Sequence, residues 1–287
     1  MTEHPPSTDR FSDFTVFEQR LPTFSFGAAF SVGWLTLKRN YWPLVGTGVA
    51  FMGIQSIAGL LQSWFDNVWF EERVIELAVG GDFTYSPGSL VSAAAYIFLS
   101  PALSAGFQYV GLGSVRWQSP GIGKLFASFS CYWLLVRANL ILSLFWAAPL
   151  ALLGAGVGSG YLIGSQQGSA SEGSLIGALV MALPALSLWL WLYARLAYSY
   201  LLIIDPLSNV SSAREALRAS WTVTHPIAWR LGAVIVVLQV VVFIGFVLCC
   251  FPGLLIGLPL SCVVVPATYE MVRCAARTES FTEEVAE

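Results

Sequence analysis

Long apolar runs alternate along the chain with short polar stretches rich in aromatic residues. Six windows are apolar almost throughout: about 42–64, 89–113, 132–154, 175–203, 231–250 and 253–273. A helix needs roughly 20 mostly apolar residues to cross about 30 Å of hydrocarbon, and each window meets that length. The pattern predicts an all-α, polytopic membrane protein with six transmembrane helices in one domain over 23–275. Polar tails flank it at 1–22 and 276–287. About 40 partly polar residues precede the first span, and no short apolar region with a small-residue cleavage site lies near Met1, so that span does not read as a signal peptide.

The polar stretches have a pattern of their own. Residues 205–231 read DPLSNVSSAREALRASWTVTHPIAWRL. Ser212 and Glu215 are spaced as a capping box, which predicts a helix over about 213–224. Such a helix places Arg214, Glu215, Arg218, Thr222 and His225 on one side, and Ala213, Ala216, Ser220, Val223 and Ile227 on the other, with Trp221 near the arginine edge. Pro226 lacks an N–H donor and suits the first turn of the next helix. The expectation is a short helix lying flat at the cytoplasmic surface.

This layout recurs. Aligning AFSVGWLTLKRNYWPLVG (29–46) with ALRASWTVTHPIAWRLG (216–232) puts Ala29 on Ala216, Phe30 on Leu217, Gly33 on Ser220, Trp34 on Trp221 and Trp42 on Trp229. A weaker copy, KLFASFSCYW, brings Phe126 near the position of Phe30. The chain thus reads as three parallel units, each a cytoplasmic interfacial helix followed by a transmembrane hairpin, starting roughly 90 residues apart. Within the spans, small residues such as those of GTGVAFMG and GALVMALPA allow close helix approach. Prolines at 101, 149, 184, 259 and 266 predict kinks that neighbouring helices accommodate.

Composition supports the membrane reading and charge orients it. The chain is 56% hydrophobic and 11% charged, against about 25% charged in soluble domains. Lys38, Arg39, Arg116, Lys124, Arg214, Arg218, Arg230, Arg273 and Arg277 all fall on one side of a six-span scheme. The other side has Arg73 among Asp66, Glu71, Glu72, Glu76 and Asp82, and a loop, GAGVGSGYLIGSQQGSASEG, without a basic residue. Both termini are then cytoplasmic. On the outer side, EERVIELAV is expected to form an amphipathic turn or two, with Trp64, Trp69 and Phe70 at the interface.

Arg137 and Arg195 are the charges set inside spans, where an ionisable residue suggests function. Both sit in the cytoplasmic half, where a long side chain can instead carry its guanidinium up to the headgroups. Asp205, Glu215 and Glu270 are the expected counter-charges. Turned inward, the arginines could bind lipid phosphate. Together with Arg214, Arg218, Trp34 and Trp221 they form the candidate set for lipid or partner contact. Nothing reads as a catalytic residue, a metal site or a cofactor site. His4 and His225 have no nucleophile at a defined offset, and no Walker A or GxGxxG pattern occurs. The five cysteines read as small, reduced apolar residues. Fourteen basic residues spread over several membrane leads exclude a nucleic-acid stripe.

The segments FSFGAAFSVGWLTLKRNYWPLVG, EALRASWTVTHPIAWRLG, GIGKLFASF and VPATYEMVR resemble the YciC-like bacterial six-helix membrane proteins. That group includes the membrane domain of some glycerophosphodiester phosphodiesterases, whose enzyme domain has no counterpart here. The resemblance implies a multi-pass protein of the bacterial cytoplasmic (inner) membrane, with no catalytic residues to carry over. The expected role is a non-catalytic scaffold or accessory subunit that organises lipid or a membrane partner, which could be a second copy of the chain. The competing role is a permease for a lipid-like or small apolar solute.

Overall fold

A computed structural model describes residues 24–69, 75–76, 84–85, 94, 96–118, 121–166, 170–208, 210–249 and 251–286. The chain packs as two compact units, residues 1–132 with 236–287, and residues 133–235. It is helical apart from one two-residue strand pair among the described residues.

In the first unit, α1 (Phe26–Arg39) starts at Ser25, whose side chain accepts from Ala28 N at 3.2 Å. Its buried residues are Ala29, Gly33 and Leu37, one every fourth position, so one face is committed to packing. Lys38 and Arg39 occupy the last turn, where the helix dipole favours cations. Helix α2 (Tyr41–Trp69) follows directly. Helix α3 (Ser100–Val115), with Pro101 in its first turn, is buried along most of its length. A 3-10 helix (Ile122–Cys131) lies against it and buries Leu125 and Ser128, three residues apart as that geometry requires. The last helix of this unit spans Phe251–Ala286.

Close approach holds these helices together. No Cβ fits at Gly106 against the Leu125 carbonyl, or at Gly111 against that of Cys262 in the last helix. A methyl at Gly33 would stand 2.5 Å from Val264 Cγ2. Ser128 Oγ donates to Ala102 O at 2.7 Å, and Phe51 stacks on Phe107 at 4.8 Å and 16°.

The second unit is built on α4 (Tyr132–Gln166), α5 (Ala170–Leu196), α6 (Ser199–Ile204), α7 (Ala213–Thr224) and the start of α8 (Ala228–Cys249), with a 3-10 turn, His225–Ile227, between the last two. The final helix of the chain, Phe251–Ala286, is accordingly α9. Gly156 and Gly177 meet backbone to backbone where α4 crosses α5. Trp189 stacks on Tyr193 at 5.4 Å, and Trp146 lies 5.8 Å from Trp189. Away from these contacts both helices present bare apolar faces. Leu144, Leu150, Leu175, Leu179 and Leu183 are each between 66% and 75% exposed, as suits contact with lipid.

Five stretches are long and apolar enough to cross a membrane: Tyr41–Leu61, Ile122–Ser165, Ser174–Ile204, Ala213–Gly245 and Leu255–Ala275. They correspond to the first, third, fourth, fifth and sixth expected windows. The window at 89–113 is represented by α3, whose 16 residues extend for about 24 Å. Residues 86–93 and 95 of that region lie outside the described residues, as does the N-terminal tail to residue 23.

Two expected loops carry regular structure, and the polar C-terminal tail is helical. GAGVGSGYLIG is helical, and its Gly156 and Gly160 serve the α4–α5 crossing instead of a turn. Residues 276–286 continue α9. Within EERVIELAV, Ile75 and Glu76 pair as a strand with Tyr85 and Thr84.

A common contact links the two units' descriptions. Each short helix packs on a long one: α1 on α9, the 3-10 helix on α3, and α7 on α5. Three buried positions of α1 fall on buried positions of α7 in the sequence alignment, Ala29, Gly33 and Leu37 on Ala216, Ser220 and Thr224, whereas buried Leu217 falls on half-buried Phe30.

Candidate lipid-contact sites at the basic helix ends

Arg195 lies near the C-terminal end of α5 and is 5% exposed. Its guanidinium sits 4.4 Å from the Trp221 ring centre and 5.3 Å from that of Trp191, and the two rings meet edge to face at 5.2 Å and 87°. Nη1 donates to Trp221 O at 3.0 Å, whereas Nε is buried without a hydrogen bond. The Arg195 carbonyl accepts from Ser220 Oγ at 2.9 Å and Thr224 Oγ1 at 3.0 Å. Arg195 and Trp221, two residues of the candidate set, therefore meet and fasten α7 to α5. Stacking on indole faces is the stabilisation open to a cation that has no carboxylate beside it among the described residues.

None of the three expected counter-charges serves Arg195. Asp205 is buried just past α6, and its Oδ1 accepts from Leu207 N at 3.1 Å, closing an Asx turn. Glu215 is exposed on α7. Glu270 belongs to another cluster. It is 1% exposed, and its Oε1 accepts from Arg116 Nε at 2.7 Å and from Arg116 Nη2. Its Oε2 accepts from Arg273 Nε at 3.1 Å and Nη2 at 2.8 Å. One carboxylate thus holds two guanidinium groups, tying the end of α3 to α9. Sequence spacing does not reveal this pairing, because Arg116 is 154 positions away.

The remaining candidates lie outward. Arg137 is exposed on α4, one turn from its start. Arg214 and Arg218 are exposed on α7, one turn apart. The capping box forms in half: Ser212 Oγ accepts from Glu215 N at 3.3 Å, but the Glu215 carboxylate reaches back to Ser211, accepting from its N and Oγ, both at 3.0 Å. Val223, expected on the packed side, is exposed, and Thr224 is buried in its place. The Thr224 hydroxyl can be buried because it donates to carbonyls of Arg195 and Ser220. Trp34 is exposed on α1, with Lys38 Nζ 5.4 Å from its ring centre.

A further aromatic contact was not visible in the sequence. Helix α3 ends in a Schellman turn, with Trp117 N bonded to Ser114 O at 3.3 Å and Gln118 N to Gly113 O at 2.8 Å. Trp117 occupies the left-handed position, at φ 63°, that glycine ordinarily fills. Its ring is 61% exposed, with the Arg39 guanidinium 3.8 Å from its centre.

No protein-family model, curated protein or solved structure matches this chain. Among the described residues, no group of three His, Cys, Asp or Glu side chains could hold a metal ion. The chemistry available at these helix ends is recognition of anions by guanidinium and ammonium groups framed by indoles.

Proposed function

We propose that the protein is a non-catalytic, six-span membrane scaffold that organises anionic lipid at one leaflet. In this reading three parallel units each place a short helix at the cytoplasmic side, and both termini face the cytoplasm of a bacterial cell. The resemblance of the lead segments to YciC-like proteins agrees with it. So does the packing of α1, the 3-10 helix and α7, each on a longer helix of its own unit.

The observation that carries the reading is the pair of uncompensated cation rows. Lys38 and Arg39 on α1, and Arg214 and Arg218 on α7, are exposed, and none of them pairs with a carboxylate among the described residues. The opposite faces of these helices are buried, so their geometry is fixed. Basic residues at a membrane surface draw anionic lipid at about 1 kcal/mol each. Reconstitution into nanodiscs of mixed phosphatidylglycerol and phosphatidylcholine tests this. The expected result is phosphatidylglycerol enriched around the protein and lost with rising salt. Bulk composition around the protein at low salt would contradict it.

The permease reading draws on the prolines inside long helices, Pro149, Pro184, Pro259 and Pro266. Solute flux across proteoliposomes at a rate above empty vesicles would favour it.

A further inference from the structure

An apolar cleft of ≈ 290 Å³ lies between α2 and α9, inside the first unit. Its α2 wall runs from Val45 to Ser56, and Leu255, Leu258 and Pro259 form the α9 wall. The cleft exists because α2 carries glycine on this face. A Cβ at Gly48 would meet Leu258 Cβ at 3.8 Å, and one at Gly53 would meet nothing within 4 Å. The α2 positions recur three and four apart, so they form one continuous stripe along the helix.

The dimensions select the occupant. From Val45 to Ser56 the helix rises about 16 Å, close to the roughly 15 Å of hydrocarbon in one leaflet. The slot is apolar along that length and open on one side, which suits a single extended hydrocarbon chain. One turn before Val45, Trp42 is 78% exposed, as suits a residue at the headgroup level. The two residues that close α1 just before it are Lys38 and Arg39, exposed and without a carboxylate partner among the described residues. An apolar slot one leaflet deep, preceded in the chain by a helix end carrying two exposed cations, matches a lipid with one charged end.

We propose that the cleft is a specific site for one anionic phospholipid, with an acyl chain between α2 and α9 and its phosphate on Lys38 and Arg39. This rests on the proposed function and assigns it a place. The Arg39 guanidinium is already oriented by the Trp117 ring, so the headgroup meets a fixed cation.

Native mass spectrometry of the full chain, released from nanodiscs of mixed phosphatidylglycerol and phosphatidylcholine, reads the site directly. Each basic residue is worth about fivefold in lipid preference, so one retained lipid should favour phosphatidylglycerol by roughly 25-fold. Replacing Lys38→Gln and Arg39→Gln together should abolish that preference while a lipid is still retained. Gly53→Leu should expel the lipid, and Gly59→Leu, another open position, should keep it. Should Gly53→Leu fail to fold, a phosphatidylglycerol with a diazirine in its acyl chain, used on the unaltered protein, should label residues 45–56. A retained lipid in Gly53→Leu, an unchanged preference without the two cations, or photolabel absent from 45–56 because another segment fills the cleft would each overturn the site. If phosphatidylglycerol is enriched overall but these changes leave it untouched, only this site fails; if the unaltered protein shows no enrichment, the proposed function fails with it.

Discussion

Removing the Glu270 carboxylate should be among the most damaging single changes in the first unit. The side chain is buried and accepts two N–H donors from each of Arg116 and Arg273. Glu270→Gln keeps the shape and one acceptor but removes the charge that both the buried Arg116 and the half-buried Arg273 bond to. Breaking a buried ion pair from one side costs about 3–5 kcal/mol, mostly through the stranded partner. With about 2–4 °C of melting temperature per kcal/mol in a chain of this size, the fall should be roughly 6–20 °C. Thermal unfolding in mild detergent, followed by the loss of the monodisperse chromatographic peak, measures it. Arg116→Gln added to Glu270→Gln should recover part of the loss, because it removes one of the two cations that bond to this carboxylate. A wild-type melting temperature in Glu270→Gln, or strict additivity in the double variant, would refute this reasoning.

Trp117 sets up a cleaner comparison between two substitutions. Trp117→Gly and Trp117→Ala both lose the ring, but only alanine retains the left-handed penalty of about 1–2 kcal/mol, so glycine should give the more stable protein in the same unfolding assay. In the second unit, Gly177→Leu should destabilise strongly by forcing α5 away from the Gly156 backbone, whereas Gly158→Leu, which faces open space, should leave the melting temperature unchanged. Thr224→Val removes the hydroxyl that joins α7 to the Arg195 carbonyl and should cost about 1 kcal/mol, seen as faster amide exchange in α7.

Run length carried most of the fold. Five expected windows coincide with helices able to cross a membrane, because the hydrocarbon thickness sets a demand that composition alone can meet. Glycine was the residue type most easily misread. In water GAGVGSG would mark a loop, but in α4 its Gly156 and Gly160 let a second helix touch the backbone, and the sequence alone does not show the neighbour. The lead helices were legible through Ser212, Pro226 and the matched tryptophans. The face of α7 was displaced by one position at its end, since burying Thr224 depends on carbonyls of another helix. The charge partners were least legible. Glu270 stands one turn from Arg273, but its other partner comes from the end of α3, and proximity between helix ends is a property of packing. Trp117 gave no signal, because a Schellman turn without glycine cannot be recognised from residue type.

Side-specific labelling tests the proposed arrangement most directly. Single cysteines placed by Lys124→Cys and Arg214→Cys, in a chain whose native cysteines are replaced, can be probed in sealed inner-membrane vesicles with a membrane-impermeant maleimide. Both positions should react from the same, cytoplasmic face. Reaction of one from the inside and the other from the outside would contradict the six-span, three-unit arrangement and the single basic leaflet built on it.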